Sequence, residues 1–173
     1  MGSHKQELLG LVYLIKTDSI REFTLRMLDV APQAFWENRA SRRHHPPDER
    51  GEYGTVIHTT RVLKLVRHIN EVCNSDPLES SALESAASIH DLTKNGLNWE
   101  KDHSVEDHPF LVRKLAETYS VTCPYVDMIF GLVESHMGKW GDPPYVPKLP
   151  MKAVLHLADS ISAEAGQIWE QLS

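Results

Sequence analysis

Hydrophobic residues recur along most of the chain at the three- and four-residue spacing of amphipathic α-helices. No segment alternates apolar and polar residues as a half-buried strand does, and the chain has no internal repeat or heptad pattern. The helices predicted from this periodicity cover about Lys5 to Lys16, Ile20 to Leu28, Thr55 to Cys73, Tyr125 to Met137 and Met151 to Gln171, with two more around His90 and His108. The pattern therefore predicts an all-α fold.

Two polar stretches are predicted to be irregular loops. Asn38 to Gly54 contains adjacent arginines and histidines followed by two prolines, and Gly138 to Pro150 contains four prolines. At 173 residues the chain is expected to form one compact helical bundle. Residues 5–53 would form N-terminal helices and a basic loop, and residues 54–173 a helical core, whereas residues 1–4 are expected to be a cloning remnant.

Polar residues stand at five places where the helical period calls for a hydrophobic residue. His58 lies one turn before Val62, on a stripe that continues through Leu65, Val66, Ile69 and Val72. The same test on four further segments places these residues on inner faces: His90, His108, His136 and Asp159. Burying one such group without a partner costs about 1 to 3 kcal/mol, so several together must satisfy one another or share a cation.

Asp91 directly follows His90, so an imidazole nitrogen and a carboxylate oxygen are adjacent in the chain. These two ligand types suit a divalent metal ion. The sequence therefore predicts a buried metal site that joins distant parts of the chain.

Composition narrows the class of protein. The formal net charge of −6 argues against a main role in binding nucleic acid polymers. Cys73 and Cys123 are predicted to be reduced core thiols, and no secretory signal or apolar run long enough to span a bilayer is present. We therefore expect a cytoplasmic protein without membrane association, whose N-terminal apolar faces would also permit a homodimer.

The order of these residues resembles that of the HD superfamily of metal-dependent phosphohydrolases. The motif begins at His58, continues in Ile89-His90-Asp91-Leu92-Thr93-Lys94 and ends in Leu157-Ala158-Asp159, and the likeness extends from about Gly54 to Ser162. His108 and His136 lie between the His-Asp pair and the last aspartate, as they do in members that hold two metal ions. Thr93 stands where many relatives have glycine, and we expect the ligands to be unaffected.

The resemblance implies two divalent ions, which would be Mn, Fe, Co, Ni or Mg. Asp91 would bridge them, His58, His90 and Asp159 would complete the first site, and His108 and His136 the second. A hydroxide activated by the metals would attack the phosphorus of a nucleotide or related small phosphoester, with Asp91 and Lys94 as catalytic residues. Substrate contacts are expected from Arg42, Arg43, His44, His45, Lys94, Lys139 and Trp140.

Several alternatives stay open at this point. Asp107-His108-Pro109 is also typical of a helix start, which would make His103 the substitute ligand, and His156 either packs in the fold or approaches the site. A diiron oxygenase that cleaves a C–C or C–P bond with O₂ would share the same ligand spacing. The third alternative is a non-catalytic HD module that binds a nucleotide. The sequence does not favour it directly, because every expected metal ligand is present.

Overall fold

The computed structural model describes residues 2–40, 45–138 and 150–172, with the side chains of the last helix described as far as Glu164. These residues form eight α-helices, one short 3₁₀ helix and no strand. The α-helices are α1 Gly2–Val12, α2 Asp18–Asp29, α3 Gln33–Glu37, α4 Gly54–Val72, α5 Pro77–Ile89, α6 His108–Thr118, α7 Val126–Val133 and α8 Pro150–Leu172. The 3₁₀ helix is Pro47–Glu49. The predicted all-α class is confirmed, and none of the described helices is long and apolar enough to cross a bilayer.

Helices α4 and α5 lie at the centre of the bundle. Helix α4 packs against α1, α3, α5 and α8, and α5 packs against α1, α2, α4, α7 and α8. Neighbours approach α5 closely because most of its buried residues are small, namely Ser81, Ala82, Ser85, Ala86, Ala87 and Ser88. As a result His90 and Asp91, which follow α5 directly, are buried in the interior.

The start of α5 is determined locally by the sequence. The Asp76 side chain accepts hydrogen bonds from the backbone N–H groups of Leu78, at 2.9 Å, and Glu79, at 3.2 Å. Pro77 occupies the first turn, where the missing N–H removes no helical hydrogen bond. Asp76-Pro77 is therefore the capped beginning of this helix.

Other boundaries and burial patterns differ from the prediction. Helix α1 ends at Val12, and Ile15 enters the core from the turn that follows it. The short helix α3 interrupts a stretch that showed no helical period. The predicted stripe of α4 is wrong at its end, because Val72, the last residue of the helix, is 71% exposed.

The cysteines also differ from the prediction. Cys73 is exposed at the end of α4 and Cys123 is half-buried before α7, and both are free thiols. The apolar sequence around each one suggested a core position. It did not indicate that these residues lie at helix ends, where packing is incomplete.

Candidate metal centre

The six residues expected to bind metal lie close together, although they come from distant parts of the chain. His58 lies on α4, His90 and Asp91 follow α5, and His108 is the first residue of α6. The remaining two are His136, in the turn after α7, and Asp159, on α8. Five of the six are buried, and the side chain of Asp159 is 23% exposed.

The first group of ligand atoms contains His58, His90 and Asp159. His58 Nε2 lies 2.9 Å from Asp159 Oδ1, and His90 Nε2 lies 3.9 Å from the same oxygen. One atom from each residue lies within 4.8 Å of the others. Two imidazole nitrogens and a carboxylate oxygen at this separation could hold one divalent ion.

The second group contains Asp91, His108 and His136, and again its ligand atoms lie within 4.8 Å of one another. His108 Nε2 is 3.3 Å from His136 Nε2 and 3.5 Å from Asp91 Oδ1. The other oxygen, Asp91 Oδ2, lies 3.7 Å from His90 Nε2 in the first group. The two oxygens of Asp91 therefore face the two groups, so this carboxylate joins them.

Backbone hydrogen bonds set which ring nitrogen of three histidines carries the proton. His90 Nδ1 lies 2.9 Å from the carbonyl oxygen of Ala87, and the Nδ1 atoms of His108 and His136 each lie 2.7 Å from the carbonyl three residues earlier. A carbonyl oxygen only accepts, so each Nδ1 donates. In the neutral ring, Nε2 is then left with a lone pair that points toward the centre.

Among the residues that the structure describes, these lone pairs have no suitable hydrogen-bond donor. His90 Nε2 is buried without a hydrogen-bond partner among the described residues, and His108 and His136 direct two acceptors at each other. Burial lowers the pKa of His90, and burial with the neighbouring His90 and His108 rings lowers the pKa of His136 to about 3, which favours neutral rings. Nitrogen lone pairs that face one another in a buried site fit a shared cation.

Asp91 carries the negative charge that such a cation would need. Burial would raise the pKa of its carboxyl, but the neighbouring Lys94 ammonium holds it well below the usual range. Lys94 Nζ lies 2.6 Å from Asp91 Oδ2, and Lys94 is itself nearly buried. The pKa of Lys94, which burial alone would lower, is raised by Asp91, so the pair is ionised.

His58 differs from the other three histidines because both of its ring nitrogens face carboxylates. Nε2 contacts Asp159, whereas Nδ1 lies 3.2 Å from Glu49 Oε2 and 3.3 Å from Ser162 Oγ. Burial would lower the pKa of His58, but the hydrogen bonds with Asp159 and Glu49 raise it to about 9. A proton and a metal ion would therefore compete for Nε2.

Glu49 is the residue near the site that the sequence did not reveal. It is fully buried, and Oε1 accepts a hydrogen bond of 2.5 Å from Arg61 Nη1. Burial would raise the pKa of Glu49, but hydrogen bonds from His45, His58 and Arg61 lower it to about 2. Because Glu49 belongs to a loop with no helical period, no sequence signal indicated its burial.

His45, which the sequence assigned to substrate contact, is buried beside His58. Its Nδ1 lies 2.7 Å from Glu49 Oε2, and the two imidazole rings meet edge to face at 4.4 Å. Burial lowers the pKa of His45 to about 4, although the hydrogen bond with Glu49 acts in the opposite direction. His45, Glu49 and His58 are also close enough to hold an ion. Hydrogen bonds and the Arg61 charge already satisfy Glu49, so a further ion is not required there.

The remaining predicted residues fall in different places. His108 is buried in the second group, whereas its substitute His103 is 70% exposed and pairs with Asp102. His156 Nδ1–H donates to the carbonyl of His136 at 2.9 Å, so it supports the turn that carries this histidine. The following predicted residues lie outside the described residues: Arg42, Arg43, His44, Lys139 and Trp140.

Thr93, which we expected to leave the metal ligands unaffected, lies among them and adds a contact. Its Oγ1–H donates to the carbonyl of His108 at 2.9 Å, and Thr93 is fully buried. This hydrogen bond joins the turn after α5 to the first residue of α6. It therefore connects the segment carrying Asp91 with the segment carrying His108.

A cavity of about 1000 Å³ is connected to this centre through Lys94, and none of the six ligand residues belongs to its lining. Its lining carries both signs of charge and includes Arg39, Lys94, Lys101 and Asp102. Lys94 belongs to the cavity wall and also contacts Asp91. A molecule in the cavity would thus contact a residue whose ammonium group is paired with the shared carboxylate.

Comparison with protein families identifies the HD domain. The family model of the HD domain matches residues 55–164. This range contains all six converging side chains and leaves out Glu49 and His45. No curated protein and no solved structure matches the chain.

Proposed function

Because this chain belongs to the HD domain family, we propose that it is a metal-dependent phosphohydrolase that acts on a nucleotide or a related small phosphoester. The observation that carries the proposal is the inward orientation of the Nε2 lone pairs of His90, His108 and His136 around the ionised Asp91. Neutral nitrogen donors around a shared carboxylate are the chemistry of a divalent metal centre.

The centre would hold two divalent ions. His58, His90 and Asp159 would bind the first, His108 and His136 would bind the second, and Asp91 would be shared. The ions would be Mn, Fe, Co, Ni or Mg. When bound, they supply Lewis acidity toward a phosphoryl oxygen and toward the attacking water.

Two residues of the chain would contact the reacting groups. The Lys94 ammonium would bind a nonbridging phosphate oxygen at the edge of the cavity, where it neutralises charge that develops on the phosphoryl group. The Asp91 carboxylate would orient the attacking water and accept one of its protons. The water oxygen would become bonded to phosphorus as the bond to the leaving oxygen breaks.

The leaving group and the rest of the substrate would occupy the cavity beside Lys94. Five residues are proposed to contact the substrate on the basis of the sequence alone: Arg42, Arg43, His44, Lys139 and Trp140. Arginine and lysine would bind further phosphate oxygens, and the Trp140 ring would stack on a base. His45 would not contact the substrate directly, because it is buried and its ring is hydrogen-bonded to Glu49.

The test is metal analysis followed by a hydrolysis screen. Protein purified without chelator is analysed for metals, and turnover of nucleotides, cyclic nucleotides and aryl phosphodiesters is measured with added Mn²⁺. We expect hydrolysis that does not require O₂. Asp91→Ala should lose both metal and turnover, because Asp91 contacts both ligand groups.

Asp29→Ala is the matched control, since Asp29 is an exposed carboxylate at the end of α2. It should retain metal content and turnover. Full turnover and full metal content in Asp91→Ala would contradict the proposal. Bound iron with O₂ consumption and no phosphoester hydrolysis would instead identify the oxygenase reaction.

A further inference from the structure

We propose that Glu49 is a positioning residue that holds His58 in the orientation needed for metal binding, and that His45 and Arg61 hold Glu49. This inference rests on the metal centre of the proposed function and does not depend on which reaction the centre catalyses. It adds Glu49, His45 and Arg61, which are not among the six proposed metal ligands.

The argument begins with the Nδ1 atom of His58. The other three histidines donate Nδ1–H to a backbone carbonyl, whereas His58 Nδ1 lies 3.2 Å from Glu49 Oε2, a charged acceptor. With Nδ1 donating to Glu49, Nε2 is the nitrogen that faces Asp159 and is left for a metal ion once its proton is displaced. A carboxylate in this position fixes the ring orientation and raises the basicity of the ligand nitrogen.

Glu49 is itself held by contacts to both carboxylate oxygens. Arg61 Nη1 donates to Oε1 at 2.5 Å, and His45 Nδ1–H donates to Oε2 at 2.7 Å. Arg61 lies one turn after His58 on α4, so one helix supplies the metal ligand and the cation that anchors its partner. All of these contacts converge on a carboxylate that is fully buried.

The backbone of Glu49 is fixed against the start of α4 as well. Its carbonyl accepts a hydrogen bond of 2.9 Å from Ala40 N. The same carbonyl oxygen lies only 1.8 Å from the position that a Cβ atom at Gly54 would occupy. Only glycine at position 54 allows the 3₁₀ helix this close to α4, which brings the Glu49 side chain within reach of His58.

The test measures metal affinity, so turnover is not required. Co²⁺ binding is followed by visible absorption, and Mn²⁺ affinity is measured by competition with a chelator. In Glu49→Gln, one of the two binding steps should weaken by about 10- to 100-fold, as is typical for loss of an outer carboxylate partner of a ligand histidine. His58→Ala should abolish that same step, and His136→Ala should abolish the other.

Two control variants separate positioning from general damage. Asp48→Asn alters the neighbouring carboxylate that also pairs with Arg61, and no described histidine contacts Asp48. Ser162→Ala removes the hydroxyl that lies 3.3 Å from the same His58 nitrogen. Both should retain the wild-type affinities. Glu49→Asp, which keeps the charge but shortens its reach, should give an intermediate affinity and a Co²⁺ spectrum closer to wild type.

Unchanged affinities in folded Glu49→Gln would overturn the inference, as would equal weakening of both steps or an equally large effect of Ser162→Ala. If Glu49→Gln does not fold by circular dichroism, wild-type affinities in Glu49→Asp would also overturn it. Absence of hydrolysis by a protein that shows the expected affinity pattern would reject the proposed reaction but support this role of Glu49.

Discussion

Lys94 is a nearly buried lysine whose Nζ lies 2.6 Å from Asp91 Oδ2. The ion pair keeps the ammonium charged, because Asp91 raises its pKa against the opposing effect of burial. Lys94 also lines the large cavity, so the residue lies between the carboxylate and the space proposed for the substrate. This position suits a residue that stabilises charge on a phosphoryl group without binding metal.

We predict that Lys94→Met lowers kcat/KM by about 10²- to 10³-fold, the effect typical of losing one charge-stabilising donor in an active site. Metal content should remain at the wild-type level, since no metal ligand is removed. Lys101→Met is the control, because Lys101 lines the same cavity and is exposed. Equal losses in the two variants would mean that the total charge of the cavity matters, and would contradict a specific role for Lys94.

The 3₁₀ helix Pro47–Glu49 and the start of α4 behave as one packed unit. The Glu49 carbonyl lies against Gly54, and Arg61 extends from α4 to pair with Asp48 and Glu49. Helix α4 therefore contributes more than the ligand His58. It also provides the surface on which the preceding loop folds.

Gly54→Ala should destabilise the protein by about 1 to 3 kcal/mol, because its new Cβ atom would overlap the Glu49 carbonyl and Ala40 N. Gly51→Ala is the matched control, since a Cβ atom there meets no atom within 4 Å. Its free energy of unfolding should change by less than about 1 kcal/mol. Urea denaturation monitored by circular dichroism measures the free energy of unfolding of both variants. Equal stability of the two variants would show that the loop moves aside at little energetic cost.

At the level of the whole molecule, the candidate centre lies where α4, α5, α6 and α8 and the turn after α7 meet. Helices α4, α6 and α8 and the turn after α7 each carry one of the converging side chains, and the turn that follows α5 carries His90 and Asp91. Without a cation, two aspartates and several nitrogen lone pairs remain close together in a mostly buried site. Metal binding should therefore hold these helices together and stabilise the entire fold.

Metal removal should lower the melting temperature of the intact protein. A ligand at about 100 times its Kd stabilises by about 2.7 kcal/mol, which corresponds to roughly 5 to 11 °C for a domain of this size. Differential scanning calorimetry with EDTA, and then with Mn²⁺ restored, measures the difference. Asp91→Ala should melt at one temperature under both conditions. A wild-type melting temperature that is insensitive to both additions would argue against a bound metal.

Local sequence determined much of the helical framework. The apolar period marked most of the helices, and Asp76-Pro77 marked the start of α5 through capping that depends only on adjacent residues. Periodicity also placed His58, His90, His108 and His136 on buried faces, because helical spacing relates each one to nearby hydrophobic residues. Periodicity did not predict every burial correctly. Val72 fits the apolar period of α4 but is exposed, because burial also requires a neighbouring helix at that position.

Tertiary structure alone decided the surroundings of these residues. Glu49 and His45 lie in a loop, where no period connects sequence to burial, and they reach His58 only because the loop folds onto α4 at Gly54. Asp91 faces two groups of ligand atoms because α4, α6, α8 and the turn after α7 bring their side chains to the turn that follows α5. The sequence by itself thus determined the helices and which polar side chains turn inward, since both depend on neighbours along the chain. The packing of distant segments decided which charges face one another.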